Sequence, residues 1–426
     1  MKFDVFNSFR TLKYRNYKLY FSGQGISLIG TWIQIIAMNW LVYELSGSAV
    51  ILGITGFLSR IPTVILAPFA GVIADRHSKF NLLFITQFLS MIQSALFTVL
   101  VFTGLIQIWQ ILLLGTLLGV INAFDNPIRQ SFIVEIVEKK EDLPNAIALN
   151  SVLFNSARLI GPSIAGIILS LFGTGWCFLI NTLSFAAILV TLLFMRLPKK
   201  EIVVSKKSPI KEMKEGFVYV FRSVSIRTIL LALAIVSLMG MSFQVLMPVF
   251  AKDVLNGNAN TLGFLMSSVG LGALVAGLIL ASRKTVLGLE KYIAFATTVF
   301  SVSLIIFAFS HNFYISIIAL FFVGLGMIMQ MASSNTLIQT LTDDDKRGRV
   351  MSFYSIAFIG TVPFGNLLAG TLASLIGESY AVMICGISSL ITALYFIKKL
   401  PDIRKHSKPI LERKSILPTE LNNNAI

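Results

Sequence analysis

Residues 71–79 read GVIADRHSK, a short charged interruption between two long apolar runs. Gly71, then Asp75, then Arg76 and Lys79 predict a tight exit from one hydrophobic helix and a charged hinge before the next. Working outward, the same alternation fills the chain. Twelve apolar runs fall at 17–44, 49–74, 81–103, 107–130, 143–171, 173–196, 226–252, 261–284, 291–310, 312–340, 350–376 and 378–398. Each is long enough to cross a hydrocarbon core of about 30 Å at about 1.5 Å of rise per residue. Composition agrees, with 55% of the 426 residues hydrophobic and 13% charged, against about 25% charged in an ordinary soluble protein. The fold class that follows is an all-α polytopic membrane protein with little room for a soluble domain.

The formal charge of +15 invites a nucleic-acid reading, and the placement of the charges rejects it. Apart from Arg60, Arg158 and Lys252, the other 32 of the 35 Lys and Arg fall in the termini, the even-to-odd loops or the adjoining helix ends. Lys2, Arg10, Lys13 and Arg15 precede the first run, and Lys199, Lys200, Lys206, Lys207, Lys211 and Lys214 crowd the middle. The opposite loops contribute Lys252 alone. This is the positive-inside pattern, which predicts both termini in the cytoplasm and the bilayer, not nucleic acid, as partner. The first apolar run is too long for a cleavable signal and follows a basic amphipathic segment, Phe3 to Tyr14, expected on the inner membrane surface.

Several chemistries find no support. No glycine-rich loop precedes a lysine and a Ser or Thr, so ATP is not the expected energy source. His77, His311 and His406 fall in loops or the tail, and two lone cysteines, Cys177 and Cys385, give neither a disulfide framework nor a metal site. Nothing resembles a nucleophile with its base. The expectation is a protein that is not an enzyme and needs no cofactor or metal.

The long polar stretch at 201–222 divides the chain. The expected organisation is a cytoplasmic amphipathic N-terminus at 1–16, a six-helix bundle at 17–196 and a cytoplasmic linker at 197–225. A second six-helix bundle follows at 226–398, then a cytoplasmic, disordered tail at 399–426. The halves echo each other. NSVLFNSARLIGPSIAG (150–166) parallels YSIAFIGTVPFGNLLAG (354–370) at one constant offset, matching Ser151 with Ser355, Gly161 with Gly365 and Gly166 with Gly370. Near the start of each half Ser27 pairs with Ser237, Gln34 with Gln244 and Gly53 with Gly263. Two six-helix repeats suit a carrier with a central pathway.

The hinge GVIADRHSK resembles the signature after the second helix of major facilitator superfamily transporters. The opening RTLKYRNYKLYFSGQGISLIGTWIQ, FDNPIRQSF after the fourth run and RLIGP in the fifth are similar to bacterial exporters of the enterobactin efflux group, over about residues 8–400. The resemblance implies a multi-pass protein of the bacterial inner membrane, working by alternating access and driven by the proton gradient. It also implies roles. The aspartate at Asp75 sits against the start of the eleventh helix, and Arg76 and Lys79 engage an acid at the inner end of the fourth, here Asp125 with Arg129 one turn on. Together they form a cytoplasmic latch of carboxylate against helix N-terminus and ion pairs. Gly161, Pro162 and Gly166, with Gly365 and Gly370 in the second half, fit close helix packing. The alternative for the hinge is a topogenic loop with a tight turn.

Two arginines carry the most chemical information. Arg60 and Arg158 fall near the middle of the second and fifth runs, where a charge costs several kcal/mol unless it meets a partner or a wet cavity. No carboxylate lies at comparable depth, because Glu44 is at an outer end and Asp75 and Asp125 are at inner ends. In the fold implied, both helices border the pathway, so both arginines are expected to attract an anionic group on the cargo. The plain structural alternative is an arginine bonded to backbone carbonyls at the Pro62 or Pro162 kink. Gln24, Ser27, Thr31, Gln34 and Met38 recur at helical spacing on the first run, and Ser237, Met241, Gln244 and Pro248 on the seventh. Gln34 and Gln244 are expected to face each other across the pathway, with Asn155, Asn335 and Gln339 as further lining residues. Such polar stripes also glue helices together. The sum is a monomeric exporter of a small anionic or amphiphilic molecule such as a siderophore, with protons as a possible second partner. A broad drug exporter, a lipid flippase and a non-transporting receptor remain as alternatives.

Overall fold

The computed structural model describes residues 10–196, 217–283 and 285–414, less the side chains of Pro68, Val72 and Asp75. Among these residues every regular element is helical, and twelve helices are long and apolar enough to span a membrane. They are α1 (Arg15–Ser46), α2 (Ala49–Leu58, resuming as Ile61–Arg76), α3 (Lys79–Phe102), α4 (Ile108–Ile136), α5 (Leu143–Phe172) and α6 (Thr174–Leu193). The second half supplies α7 (Val224–Val254), α8 (Ala259–Ala281), α9 (Leu289–Ala308), α10 (Phe313–Leu341), α11 (Asp344–Ile376) and α12 (Glu378–Arg413). Helices are the solution that lets each segment satisfy its own backbone in lipid. The chain is thus a twelve-helix, multi-pass membrane protein.

Small residues let these helices approach closely. A Cβ at Gly119 of α4 would meet the Ser59 carbonyl oxygen at 2.5 Å, and one at Gly326 of α10 would meet the Ala296 oxygen of α9 at 2.6 Å. In the second unit Gly365 of α11 lies against the Leu238 carbonyl of α7, and Gly370 is buried one turn and a half further on. Helices α7 and α11 are also the irregular ones. Wider π turns occupy Val236–Gly240 and Phe250–Val254 in α7 and Ile356–Gly360 in α11. Such bulges mark places where a helix bends without a full break.

The chain divides into two compact units, one of Met1–Ser205 with Val245–Gly270, the other of Lys206–Gln244 with Leu271–Ile426. This line departs from the six-plus-six division in one respect. Residues 245–270, the second part of α7 and the first part of α8, pack in the first unit.

Two expectations are corrected here. Gly71 does not end α2, because the helix runs through it to Arg76 and a Cβ there would meet nothing within 4 Å. The break lies instead at His77, where the Ser78 hydroxyl caps α3 by accepting from Asn81 N. The tail is not disordered from residue 399, since α12 continues to Arg413. Ile403, Ser407 and Leu411, four residues apart, form a buried stripe on that extension. Arg404 pairs with Glu290 at 3.0 Å, Arg413 with Asp343, and the Lys414 ammonium donates to the Thr342 carbonyl at 2.6 Å. The linker expectation falls mostly on 197–216, and the surface segment on 3–9, which lie outside the described residues.

A tyrosine–aspartate clamp recurs at the terminus-bearing end of each unit. Tyr14 donates to Asp142 at 2.5 Å beside Arg10, and Tyr219 donates to Asp343 at 3.1 Å beside Arg413. Burial works against the Asp343 charge, yet the Tyr219 hydroxyl and Arg413 hold its carboxyl below the ordinary carboxylate range. A depressed folded value means the clamp's contribution is present above the unfolded value of about 3.9 and is lost as pH falls through the folded one. Asp343→Asn should therefore release the end of α12 even at neutral pH. Trypsin cleavage after Arg404, Arg413 and Lys414 should rise several-fold, and unchanged cleavage would refute the clamp.

Candidate functional site

Arg158 is carried on α5 one turn before Pro162, a proline that has no N–H and so bends the helix there. The Arg158 guanidinium carbon lies 5.7 Å from the Trp32 ring centroid of α1, within cation–π range. Phe154 meets the same ring edge-on, with centroids 6.3 Å apart. The Trp32 side chain itself passes over Gly161, where any Cβ would collide with it. Glycine in the RLIGP motif thus makes room for the aromatic platform under the arginine.

Arg60 sits at the break of α2, between Leu58 and Ile61, with Pro62 just inside the next segment. It is exposed, and no hydrogen bond or ion pair engages its guanidinium among the described residues. Arg158 lies within electrostatic range of Arg60. Both arginines thus belong to the first unit and put like charges in the middle of membrane spans. Thr31 and Asn155, on α1 and α5, are partly exposed and bond only their own helix, at Ser27 O and Ser151 O.

Gln34 requires a correction. It is 1% exposed and lies inside the first unit: its amide donates to Gln93 at 2.9 Å and accepts from Asn181 at 2.6 Å. Gln93 passes the chain on to the Leu114 carbonyl of α4. A buried amide with both ends satisfied locks α1, α3, α4 and α6 together, so Gln34 does not present itself to a pathway. Gln24 is equally buried, and its carbonyl oxygen has no partner. In the second unit, Gln244 donates to the Met327 sulfur at 3.8 Å, and Gln339 donates to Asn335 at 2.6 Å, both partly exposed.

The hinge ion pairs also differ from expectation. Lys79 pairs with Glu135 at 2.7 Å, not with Asp125. Asp125 is buried, paired with Arg129 at 2.5 Å, and accepts from Thr86 at 2.8 Å and Gln87 at 2.7 Å. Lys79 opens α3 and α4 ends at Ile136, so Glu135 is the carboxylate at matching depth. Arg76 is exposed; the Asp75 side chain lies outside the described residues.

In the half of the first unit away from the termini, four contacts went unseen in the sequence. Tyr43 of α1 donates to Asp253 of α7, and Lys252 lies 5.7 Å from the Tyr43 ring. Ser163 of α5 and Ser267 of α8 share a hydrogen bond of 2.6 Å. A Cβ at Gly263 would stand 2.7 Å from the Pro162 oxygen and 2.9 Å from the Gly166 Cα. Gly166 thus packs as expected of a small residue, against α8. Trp32, Glu135, Tyr43, Asp253 and Gly263 are the residues that sequence reasoning passed over as functional. The repeat pairing of Gly53 with Gly263, and Lys252 as the lone basic outer residue, were the available signals.

Comparisons with known proteins agree with this architecture. The family described as transmembrane secretion effector matches residues 7–423. The staphyloferrin A transporter of Staphylococcus aureus is 29% identical over 90% of this chain and 96% of its own length. Macrolide efflux protein A of Streptococcus pyogenes is 22% identical over 92% of this chain and 98% of its own. Among solved structures, a D-xylose–proton symporter superposes with a TM-score of 0.72 at 14% identity, covering 92% of this chain and 99% of that one.

Proposed function

We propose that this chain, which belongs to the transmembrane secretion effector family of major facilitator transporters, exports a small anionic molecule of the siderophore class by alternating access. Transport and efflux are the family's business, and its relatives are transporters, not enzymes. The observation that carries the finer reading is the pair Arg60 and Arg158, mid-span on one unit and in electrostatic range of each other. A charge inside a span favours an opposite charge beside it, and an anionic cargo would supply one. The two arginines would repel a lipophilic cation. In this reading the termini are cytoplasmic, the membrane is the bacterial inner membrane, and the monomer is the working unit.

Export from cells lacking other exporters tests this. Supernatants of iron-starved cells should contain an anionic product that depends on the wild-type chain and is lost with Arg158→Ala at matched expression. If only cationic dyes move, or the variant exports as well as wild type, the multidrug reading takes over. The aromatic Trp32–Phe154 pair and a relative named for macrolide efflux support that second reading.

Asp125 is the residue we assign to proton coupling, because it is a carboxylate buried within a span and its ligands Thr86, Gln87 and Arg129 all sit on α3 and α4. Asp125→Asn should abolish gradient-driven accumulation in inverted vesicles while leaving cargo exchange at equal pH intact. Loss of both activities together would assign Asp125 a structural role.

A further inference from the structure

A cavity of about 190 Å3 opens in the second unit where the end of α8, the loop after it, the start of α9 and the later turns of α10 meet. Arg283, Thr285, Ser333 and Thr336 supply its polar wall, and Leu280 and Leu289 part of its apolar wall. It lies at the terminus-bearing end, since Glu290 at the start of α9 pairs with Arg404 near the end of α12.

The repeat explains why this place is positively charged. Ala74-Asp75-Arg76 in the first half corresponds to Ala281-Ser282-Arg283 in the second. Helices α4 and α10 have the same length of 29 residues. Counted from their first residues, Asp125, Arg129 and Glu135 correspond to Gln330, Ser334 and Thr340. The second half has kept the hinge arginine as Arg283 and replaced Asp75, Asp125 and Glu135 by Ser282, Gln330 and Thr340. In the first unit Glu135 neutralises the hinge lysine; here no carboxylate does so for Arg283 among the described residues. Two acids of the same unit are engaged elsewhere, Glu290 by Arg404 and Asp343 by Arg413. The replacements also leave polar atoms stranded, for Gln330, Ser333 and Ser334 each carry a buried side-chain atom without a hydrogen-bond partner.

Arg283 is held ready. One terminal nitrogen donates to the Leu287 carbonyl at 2.6 Å and Nε to the Thr285 carbonyl at 3.4 Å, and the guanidinium lies 4.1 Å from the Tyr292 ring centroid. A guanidinium has five N–H donors in a rigid fork suited to oxyanions, and its other terminal nitrogen engages no acceptor among the described residues. Threonine and serine hydroxyls around it add donors that a tetrahedral oxyanion can use at once.

We propose that this cavity binds an oxyanion of the phosphate class, seated on Arg283 with the hydroxyls of Thr285, Ser333 and Thr336. The ligand is either the headgroup of an acidic phospholipid, which basic pockets between membrane helices at this depth suit, or a free phosphate. The test uses the full chain in detergent after delipidation. Native mass spectrometry reads retention of phosphatidylglycerol against phosphatidylcholine, and thermal unfolding reads stabilisation by inorganic phosphate against chloride at equal ionic strength. The wild type should favour phosphatidylglycerol or be stabilised by phosphate. Arg283→Ala should need roughly tenfold more of the same ligand. Ala332→Phe, which fills the cavity and leaves the arginine in place, should lose binding without that charge change. A response to phosphatidylglycerol alone identifies the headgroup as ligand, and a response to phosphate identifies the soluble anion. No preference for either probe, or equal binding by wild type and both variants, overturns the proposal.

Discussion

Replacing Arg158 by alanine is expected to cut export of an anionic cargo about ten- to a hundredfold at subsaturating concentration, the range a lost charge-assisted hydrogen bond implies. The variant should still fold. Thermal unfolding and matched expression check that. Arg158→Lys should restore part of the activity, because charge remains while the planar fork is lost. Arg158→Glu should abolish export, since it would pair with Arg60 and repel the cargo. Trp32→Ala removes the ring 5.7 Å from the guanidinium, and a loss of only a few-fold is expected from a partly exposed cation–π contact. Arg60→Ala should weaken export less than additively with Arg158→Ala, because the two share one electrostatic site. Wild-type export by Arg158→Ala would remove the anion site from this protein altogether.

What the sequence made legible followed from single-segment physics. Apolar length alone located the spans, and a charge in the middle of a span stands out without any partner being known, so Arg60 and Arg158 were visible. Residues whose role depends on a partner from another helix were not. Gln34 sits on a polar stripe of α1 that looks like a pathway wall, but Gln93 and Asn181, distant in sequence, close around it. Lys79 had two acids on α4 to choose from. Depth decides for Glu135, and depth was recoverable from the antiparallel run of α3 against α4. The tail misled for another reason. Pro401 and Pro409 read as breakers, yet both are accommodated in α12, whose Ile403, Ser407 and Leu411 bury against the bundle. Gly71 misled in the opposite sense, a glycine in a helix that continues through it.

Gly263→Leu is expected to stop export while leaving the protein folded and able to bind cargo. The glycine faces backbone, with its built Cβ at 2.7 Å from the Pro162 oxygen and 2.9 Å from the Gly166 Cα. Backbone cannot swing aside as a side chain does, so a leucine would force α5 and α8 apart and cost about 1–3 kcal/mol or more in this arrangement. That penalty applies only where the two helices touch. Residues 245–270 belong to the second repeat by sequence yet pack in the first unit. Under the alternating access proposed above, this contact, with Tyr43–Asp253 and Ser163–Ser267, is made in one state of the cycle and released in the other. A carrier must visit both states in each cycle, and a shift of about 3 kcal/mol changes their ratio roughly 150-fold. The variant should accumulate with the side opposite the termini open. A cysteine placed at Thr31 should then react with a membrane-impermeant maleimide from that side much faster than in the parent, since Cys177 and Cys385 are buried and silent. Gly277 lies on the same helix and a Cβ there meets nothing within 4 Å, so Gly277→Leu should export normally. If both leucines impair export equally, the effect belongs to α8 insertion or stability, and the α5–α8 contact is not the gate.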